Sequence, residues 1–158
     1  MSNPFVYYRL DSIGELRRDA PCAVCELDWR KDLAVIRRFY ARFTDVPVNP
    51  DEFDRTVGSP LVIMEGNDIV SFAIPLSFHE GETEIGAVAT VPERRNKGLC
   101  KALIAEMAFR ILSGGKTATL TTERTNLPMR AAASAIGLRE LAGNDPGAKT
   151  GETSGLTD

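Results

Sequence analysis

The sequence has few of the residues that mark secreted, metal-binding or membrane-bound proteins. Only three cysteines and one histidine occur among its 158 residues, and no Asn-X-Ser/Thr acceptor is present. No apolar run approaches the roughly 20 residues that span a bilayer, and the first twelve residues lack the charged and apolar regions of a signal peptide. An odd number of cysteines without a scaffold pattern is typical of a reducing compartment. We therefore expect a cytoplasmic protein with no membrane partner.

The sequence also lacks a strong charge of either sign. The formal net charge is −3, the pI is about 5.3, and 26% of the residues are charged. This balance argues against nucleic acid as a partner. The hydrophobic share of 43% and the length are ordinary for one soluble globular domain with a sizeable core.

Hydrophobic periodicity predicts alternating helices and strands, with antiparallel hairpins first and α/β packing later. Strands are predicted at residues 5–10, 22–27, 61–65, 69–78, 83–91, 117–122 and 138–141, and helices at 31–43, 50–57, 98–112 and 127–136. Asp11 is expected to cap a helical turn that extends through Arg18, between the first two predicted strands. Residues 1–21 then form an N-terminal extension, 22–141 the main domain, and 142–158 a Gly/Thr/Pro-rich tail that is typical of disorder.

Cys22 and Cys25 form a CxxC pair, which has two interpretations. A zinc site would need a second pair, and the only other cysteine is Cys100. A redox pair would open a helix, whereas the residues between the two cysteines favour a strand. The pattern thus favours small buried residues and no metal, with a redox protein as the alternative.

The stretch at residues 84–112 is the most informative part of the chain. It predicts a strand, a basic turn that contains Gly98, and an amphipathic helix. The first N–H groups of a helix have no intrahelical partner, so this end attracts anions. Arg94, Arg95 and Lys97 add positive charge beside it. Because the rest of the chain is acidic, a small anionic ligand is expected rather than a polyanion.

Two segments resemble the GNAT superfamily, the acyl-CoA-dependent N-acyltransferases. The first is Arg95-Asn96-Lys97-Gly98-Leu99-Cys100 at the start of the long helix. The second is Asn126 followed by a small-residue helix that closes on Gly137-Leu138. The similarity covers residues 22–141. It implies an α/β (α+β) fold with a mixed, mostly antiparallel sheet, helices on both faces and a splayed central strand that carries a bulge.

The resemblance also implies acetyl-CoA as co-substrate, without a metal. Backbone N–H groups of residues 95–100 would hold the coenzyme pyrophosphate, the strand at 88–90 would pair with the pantetheine arm, and a backbone N–H near Val88 would polarise the acyl carbonyl. The coenzyme-binding residues implied in this way are Val88, Ala89, Thr90, Arg95, Asn96, Lys97, Gly98, Leu99, Cys100 and Asn126.

The same resemblance indicates the catalytic groups. In one branch of the family a glutamate fourteen residues before the motif glycine is the general base, and here it is Glu84. Glu82 and Glu123 are lesser candidates. The tyrosine that protonates the leaving thiolate in the family is replaced by Ala133, so water is expected to supply that proton. Cys100 stands where the family has Gly or Ala and is close to alanine in size, so a tolerated packing residue is favoured. The alternative is a thiol whose pKa is lowered by the helix N-terminus, with redox sensitivity or acyl capture.

Two function classes follow. The first is direct acetyl transfer to a primary amine, either of a small molecule or of a peptide N-terminus or lysine. The second is a non-catalytic acyl-CoA-binding or sensing domain, which the alanine at position 133 favours. The acids Glu80, Glu82 and Glu84 suit a cationic acceptor, and His79 is expected to be a solvated loop residue. The helices and loops that would form an acceptor pocket also carry Trp29, Tyr40, Phe43 and Phe53, although aromatic residues there are more often part of the core. A homodimer stays an open alternative.

Overall fold

A computed structural model describes residues 3–18, 23–43 and 56–142 of the chain. Cys22, most of the predicted helix at 50–57 and nearly all of the predicted tail lie outside these ranges. The strands are β1 (Phe5–Leu10), β2 (Val24–Glu26), β3 (Leu61–Glu65), β4 (Asp68–Leu76), β5 (Glu82–Thr90), β6 (Thr117–Glu123) and β7 (Arg139–Leu141). The helices are α1 (Leu33–Tyr40), α2 (Leu99–Ser113) and α3 (Leu127–Ala135). No helix within the described ranges is long and apolar enough to cross a membrane.

All seven strands form one sheet in the order β2-β3-β4-β5-β6-β1-β7. Only β5 and β6 are parallel, and every other neighbouring pair is antiparallel. The long helix α2 provides the crossover between the parallel strands, as such a connection requires. The predicted mixed, mostly antiparallel α/β fold is confirmed.

Strand β4 shows how the two faces of the sheet are covered. Its residues from Ile69 to Pro75 are all buried, so both faces lie beneath other elements. Phe72 packs on Phe39 of α1, with ring centroids 5.5 Å apart. Because side chains alternate along a strand, the neighbours of Phe72 point to the opposite face, where α2 packs. The helices therefore lie on both faces, as expected.

Strand β1 lies inside the sheet although it comes first in the sequence. It pairs with β6 on one side, where Tyr8 lies opposite Leu120, and with β7 on the other, where Tyr8 lies opposite Glu140. The side chains of Val6, Tyr8 and Leu10 are buried in the core. The N-terminal segment thus contributes an interior strand to the same sheet as the main domain.

The segment after β1 differs from its prediction. Ser12, not Asp11, caps the short 3-10 turn at Ile13–Glu15, because the Ser12 hydroxyl accepts a hydrogen bond from Gly14 N–H. The Asp11 carboxylate instead pairs with Arg9 at 2.9 Å and Arg139 at 2.9 Å. Two basic side chains therefore take the carboxylate that the sequence assigned to the cap.

Helix α1 is shorter than the predicted span of 31–43. The Asp28 carboxylate accepts from the backbone N–H groups of Lys31 and Arg30, and these two bonds lower the pKa of Asp28. This turn holds the chain out of helical geometry before Leu33. At the other end, residues 41–43 form turns.

Cys25 also departs from its prediction. It was expected to be a small buried residue, but its thiol is free and exposed. It lies on the edge strand β2, which has only three residues and one neighbouring strand. A side chain at the rim of a sheet has fewer neighbours to cover it.

Candidate active site

The site is built around a bulge in β5. Phe72 of β4 lies opposite Ala89, but Ile74 lies opposite Gly86, so β5 contains one extra residue between these pairs. Ala87 within the bulge has a φ of 52°, which is uncommon for a residue with a side chain. A bulge of this kind bends its strand and locally increases the twist.

On the N-terminal side of the bulge, β5 forms a short parallel pairing with β6. This pairing begins where Glu82 lies opposite Thr117 and ends where Glu84 lies opposite Thr119. Beyond this last pair, both strands continue without pairing to each other and leave a V-shaped gap. The splayed central strand is thus present, and Glu84 lies at the point where the two strands separate.

A cleft of about 690 Å³ lies between β5, the start of α2 and α3. It is lined by all the predicted coenzyme-binding residues except Lys97: Val88, Ala89, Thr90, Arg95, Asn96, Gly98, Leu99, Cys100 and Asn126. Lys97 is exposed beside the cleft. Three segments that are separate in the sequence therefore meet in one cavity.

The sequence did not identify several further lining residues. Phe43 follows α1, Lys101 lies in the first turn of α2, and the others lie on α3: Pro128, Met129, Ala131 and Ala132. Arg94 also lines the cleft, whereas the sequence indicated it only as a positive charge beside the anion site. The small residues at 131 and 132 were a usable signal, because small side chains on a helix allow close approach of a ligand. Phe43 gave no such signal, since its helical spacing also suits the core.

The turn before α2 exposes a series of backbone donors. Asn96 and Gly98 have φ angles of 63° and 80°. A turn that contains left-handed residues directs successive backbone N–H groups toward one side. The first intrahelical bond of α2 runs from Ala102 N–H to Gly98 O, at 3.0 Å. Among the described residues no side chain caps this helix end. A Cβ on Gly98 would have no heavy atom within 4 Å, so the space above the turn is open.

The basic side chains of this turn have different roles. Arg95 Nε donates to the carbonyl of Thr90 at 2.9 Å and ties the turn to β5. Arg94 pairs with Glu65 at 2.6 Å, and this hydrogen bond lowers the pKa of the Glu65 carboxyl. Within the described ranges Lys97 makes no ion pair, so its charge stays available beside the turn.

The edge of β5 that faces the gap carries backbone groups for a ligand. Val91 N–H donates to Val70 O of β4 at 2.9 Å. Because successive peptide groups of a strand alternate in direction, those of Thr90 and Val88 point toward the gap. Past Glu84, no described strand pairs with this edge.

Cys100 lies in the cleft, but its thiol is not activated. Burial raises the pKa of Cys100 to about 11, and its sulfur lies 4.0 Å from Met129 Sδ. The favoured interpretation as a packing residue agrees with this burial. The alternative of a lowered pKa is wrong, because desolvation of a thiolate outweighs the effect of the helix end.

Asn126 is both a helix cap and a lining residue. Its Oδ1 accepts from Met129 N–H at 3.2 Å, and its Nδ2 donates to Thr122 at 3.1 Å. The predicted cap is therefore present, and it fixes the side chain at the wall of the cleft.

Among the candidate bases, Glu84 occupies the most central position. Its Oε1 accepts a hydrogen bond from Thr121 Oγ1 at 3.3 Å, and the side chain is partly buried. Glu82 is held by Arg9 at 2.6 Å, whereas Glu123 is exposed at the end of β6. Residues of β5 alternate between faces, so Glu84 projects on the same face as Phe72, opposite the face that bears α2.

The position of the family's tyrosine offers no proton donor. Ala133 is completely buried, and no tyrosine is among the described residues that line the cleft. Tyr8 bonds to Glu140 at 3.4 Å and accepts from Arg130 at 3.3 Å. Burial raises the pKa of Tyr40 to about 12, where its ring packs against Phe72.

The other residues considered for the acceptor pocket have mixed positions. Trp29 and Tyr40 pack on Phe72 and so belong to the core. His79 lies in the turn between β4 and β5, and Phe53 is outside the described residues. Among the described residues no group of three metal-ligating side chains could hold a metal ion.

Comparisons with known proteins agree with this geometry. The family model of the FR47-like proteins matches residues 67–144, about half of the chain. No curated protein is significantly similar in sequence.

Among solved structures, a GNAT-family protein from Novosphingobium aromaticivorans has a TM-score of 0.71 at 14% identity, over 87% of this chain and 59% of that one. A GNAT-family acetyltransferase from Colwellia psychrerythraea has a TM-score of 0.72 at 12% identity, over 86% and 52%. The chain thus spans little more than half the length of these two proteins.

A third solved structure is AAC(6')-Iy in complex with the bisubstrate analogue CoA-S-monomethyl-acetylneamine. Its TM-score is 0.56 at 16% identity, over 73% of this chain and 88% of that one. These proteins share the fold that is described above. Together, the family-model match, the splayed sheet and the turn before α2 support membership of the GNAT superfamily.

Proposed function

We propose that the protein is an N-acetyltransferase that transfers an acetyl group from acetyl-CoA to a primary amine by direct attack. The observation that carries this proposal is the separation of β5 and β6 beyond Glu84, beside a cleft that is lined by residues of β5, α2 and α3. An acyl donor in the cleft and an amine on the opposite face would meet there.

The turn before α2 fits the pyrophosphate of coenzyme A. Backbone N–H groups at a helix N-terminus bind phosphate oxygens, and the open space above Gly98 allows close approach. The exposed ammonium of Lys97 adds a positive charge at this end. A bisubstrate analogue that contains CoA in a protein of the same fold supports the same ligand.

The gap-facing edge of β5 fits the pantetheine arm, which carries amides of its own. The peptide groups of Val88 and Thr90 would bond to it as a neighbouring strand would. Arg95 already bonds to the carbonyl of Thr90, so the N–H of Thr90 and the peptide group of Val88 are the remaining partners. The Val88 N–H would stabilise negative charge on the acyl oxygen during attack.

Glu84 would act as the general base. An amine is mostly protonated at neutral pH, and its nitrogen becomes a nucleophile only after it loses a proton. The Glu84 carboxylate lies where the strands separate, so it would accept that proton directly or through one water. Because no tyrosine is found among the described residues of the cleft lining, water would protonate the leaving thiolate.

The acceptor is proposed as a small-molecule amine or a peptide N-terminus or lysine. The acids around Glu84 favour a cationic acceptor, although Arg9 offsets the charge of Glu82 at 2.6 Å. The attraction therefore centres on Glu84 and the loop residue Glu80. Neither nucleic acid nor a membrane is needed for this reaction.

An amine panel with acetyl-CoA tests the proposal. Small polyamines, aminoglycosides and short peptides would be supplied in turn, and release of free thiol would be followed. We expect thiol release that depends on at least one amine and saturates with acetyl-CoA. The alternative is an acyl-CoA-binding or sensing domain, which the buried Ala133 favours. Saturable binding of acetyl-CoA without thiol release for any amine would support that alternative.

A further inference from the structure

The carboxylate of Glu84 has a hydrogen-bond donor that belongs to this chain's own sheet. Thr121 Oγ1 lies 3.3 Å from Glu84 Oε1, in a partly buried environment. Thr119 is the residue opposite Glu84 in the parallel pair, and Thr121 follows it by two positions on the same face of β6. The hydroxyl therefore approaches Glu84 from the gap side, beyond the last paired residues.

The surroundings of Thr121 keep its hydroxyl in place. Its backbone is paired with Tyr7 of the interior strand β1, and a β-branched side chain has restricted rotation about χ1. A hydrogen bond to a carboxylate favours the charged form over the neutral one. The same bond restrains the rotation of the carboxylate, which a proton acceptor at a fixed position requires.

We propose that Thr121 is a positioning residue for Glu84, whose hydroxyl holds the carboxylate at the opening of the gap in its charged, proton-accepting form. This role rests on the proposed function. In the step concerned, the ammonium form of the acceptor gives one proton to the Glu84 carboxylate. A neutral amine and a neutral carboxyl group result, so atoms and charge balance.

Other groups around Glu84 are less suited to this role. Among the described residues, the charged and titratable side chains that neighbouring elements place on the face of Glu84, or in the adjoining turn, are the following: Glu82 on β5, Glu123 on β6, Tyr7 and Arg9 on β1, Arg139 on β7, Tyr40 on α1 and His79 between β4 and β5. Arg9 is bonded to Glu82 at 2.6 Å and Asp11 at 2.9 Å, so its charge is directed to those acids. On the β4 side the partner of Glu84 is Leu76, which is apolar.

The first experiment measures the ionisation of Glu84 without any assay of activity. The side-chain carboxyl resonance of Glu84 is titrated by NMR in the wild type and in Thr121→Val, which keeps the branched shape but removes the donor. We expect the midpoint in the variant to rise by about half a pH unit or more. Thr119→Val is the matched control, since Thr119 lies on the same face and is directly opposite Glu84. An unchanged midpoint in Thr121→Val, or an equal rise in both variants, would overturn the proposal.

The second experiment measures kinetics. We expect Thr121→Val to lower kcat/KM about tenfold and to shift the acidic limb of the kcat/KM profile to higher pH. Thr121→Ser, which keeps the hydroxyl, should restore both kcat/KM and the pH profile. In a Glu84→Gln background the valine should cause no further loss, because Thr121 acts through Glu84. A full additional tenfold loss there would contradict the role. If no amine is acetylated at all, the proposed function fails, and the carboxyl titration still decides whether Thr121 stabilises the charged form.

Discussion

The sharpest test of coenzyme binding is to add a single negative charge to the turn before α2. Gly98 has a φ of 80°, and a Cβ placed there would meet no heavy atom within 4 Å. A side chain at this position therefore projects into the open space above the backbone donors. Gly98→Glu would place a carboxylate where the pyrophosphate is expected.

Two effects of the substitution can be estimated separately, a loss of folding stability and a loss of affinity for acetyl-CoA. Any non-glycine residue in this conformation costs roughly 1–2 kcal/mol in folding stability, and this cost applies equally to Glu and Gln. Two like charges about 4 Å apart near a protein surface repel by about 4 kcal/mol, and salt and side-chain motion reduce this. Half of that value, about 2 kcal/mol, weakens binding roughly thirtyfold.

Titration calorimetry with acetyl-CoA measures the effect, with Gly98→Gln as a control of the same size and no charge. We expect Gly98→Glu to bind roughly thirtyfold more weakly than Gly98→Gln, and the difference to shrink at high salt. Thermal melting should show similar, modest losses of stability for both variants. If the two variants bind acetyl-CoA with the same affinity at low salt, no anion is held at this turn and the reasoning is wrong.

Three further predictions concern the base, the cleft thiol and a helix end. Glu84→Gln should lower kcat/KM about 100-fold in the thiol-release assay and leave acetyl-CoA affinity unchanged by calorimetry, because only proton transfer is lost; a loss of affinity instead would refute its role as the base. Because the pKa of Cys100 is raised to about 11, peptide mapping after alkylation at pH 8 should find it modified far more slowly than the exposed Cys25, and equal rates would contradict its burial. Gly137→Ala should reduce the free energy of unfolding in urea by about 2–4 kcal/mol, because its Cβ would clash with the Glu15 carbonyl oxygen at a φ of 106°. Gly66→Ala, at a φ of 62° in open space, should cost only about 1 kcal/mol, and similar losses for both would refute the clash.

The strand, turn and helix around Gly98 could be predicted from the sequence because their signals are local. The glycine, the basic residues and the helical spacing of the apolar residues all lie within one short stretch. The bulge in β5 had no such signal, since Ala87 is an ordinary strand residue and its φ of 52° is imposed by the surrounding sheet. The splayed strand was expected only through the resemblance to a family.

Properties that depend on burial were harder to predict. The place of Cys100 at a helix start indicates a lower pKa, but the amount of solvent removed by α3 cannot be deduced from neighbouring residues. The exposure of Cys25 likewise depends on β2 being a short edge strand. For Asp28, a local turn competed with the helix, and two backbone bonds decided the outcome.

The insertion of β1 between β6 and β7 has a consequence for synthesis of the chain. Tyr8 and Glu140, which are bonded in the folded protein, are separated by 132 residues. Strand β1 therefore has to wait for β6 and β7 to be made before its hydrogen bonds within the sheet can form. Contacts of such long sequence separation slow folding and leave strand edges exposed meanwhile. The half of the sheet that borders the gap is thus completed only after β7 has been made.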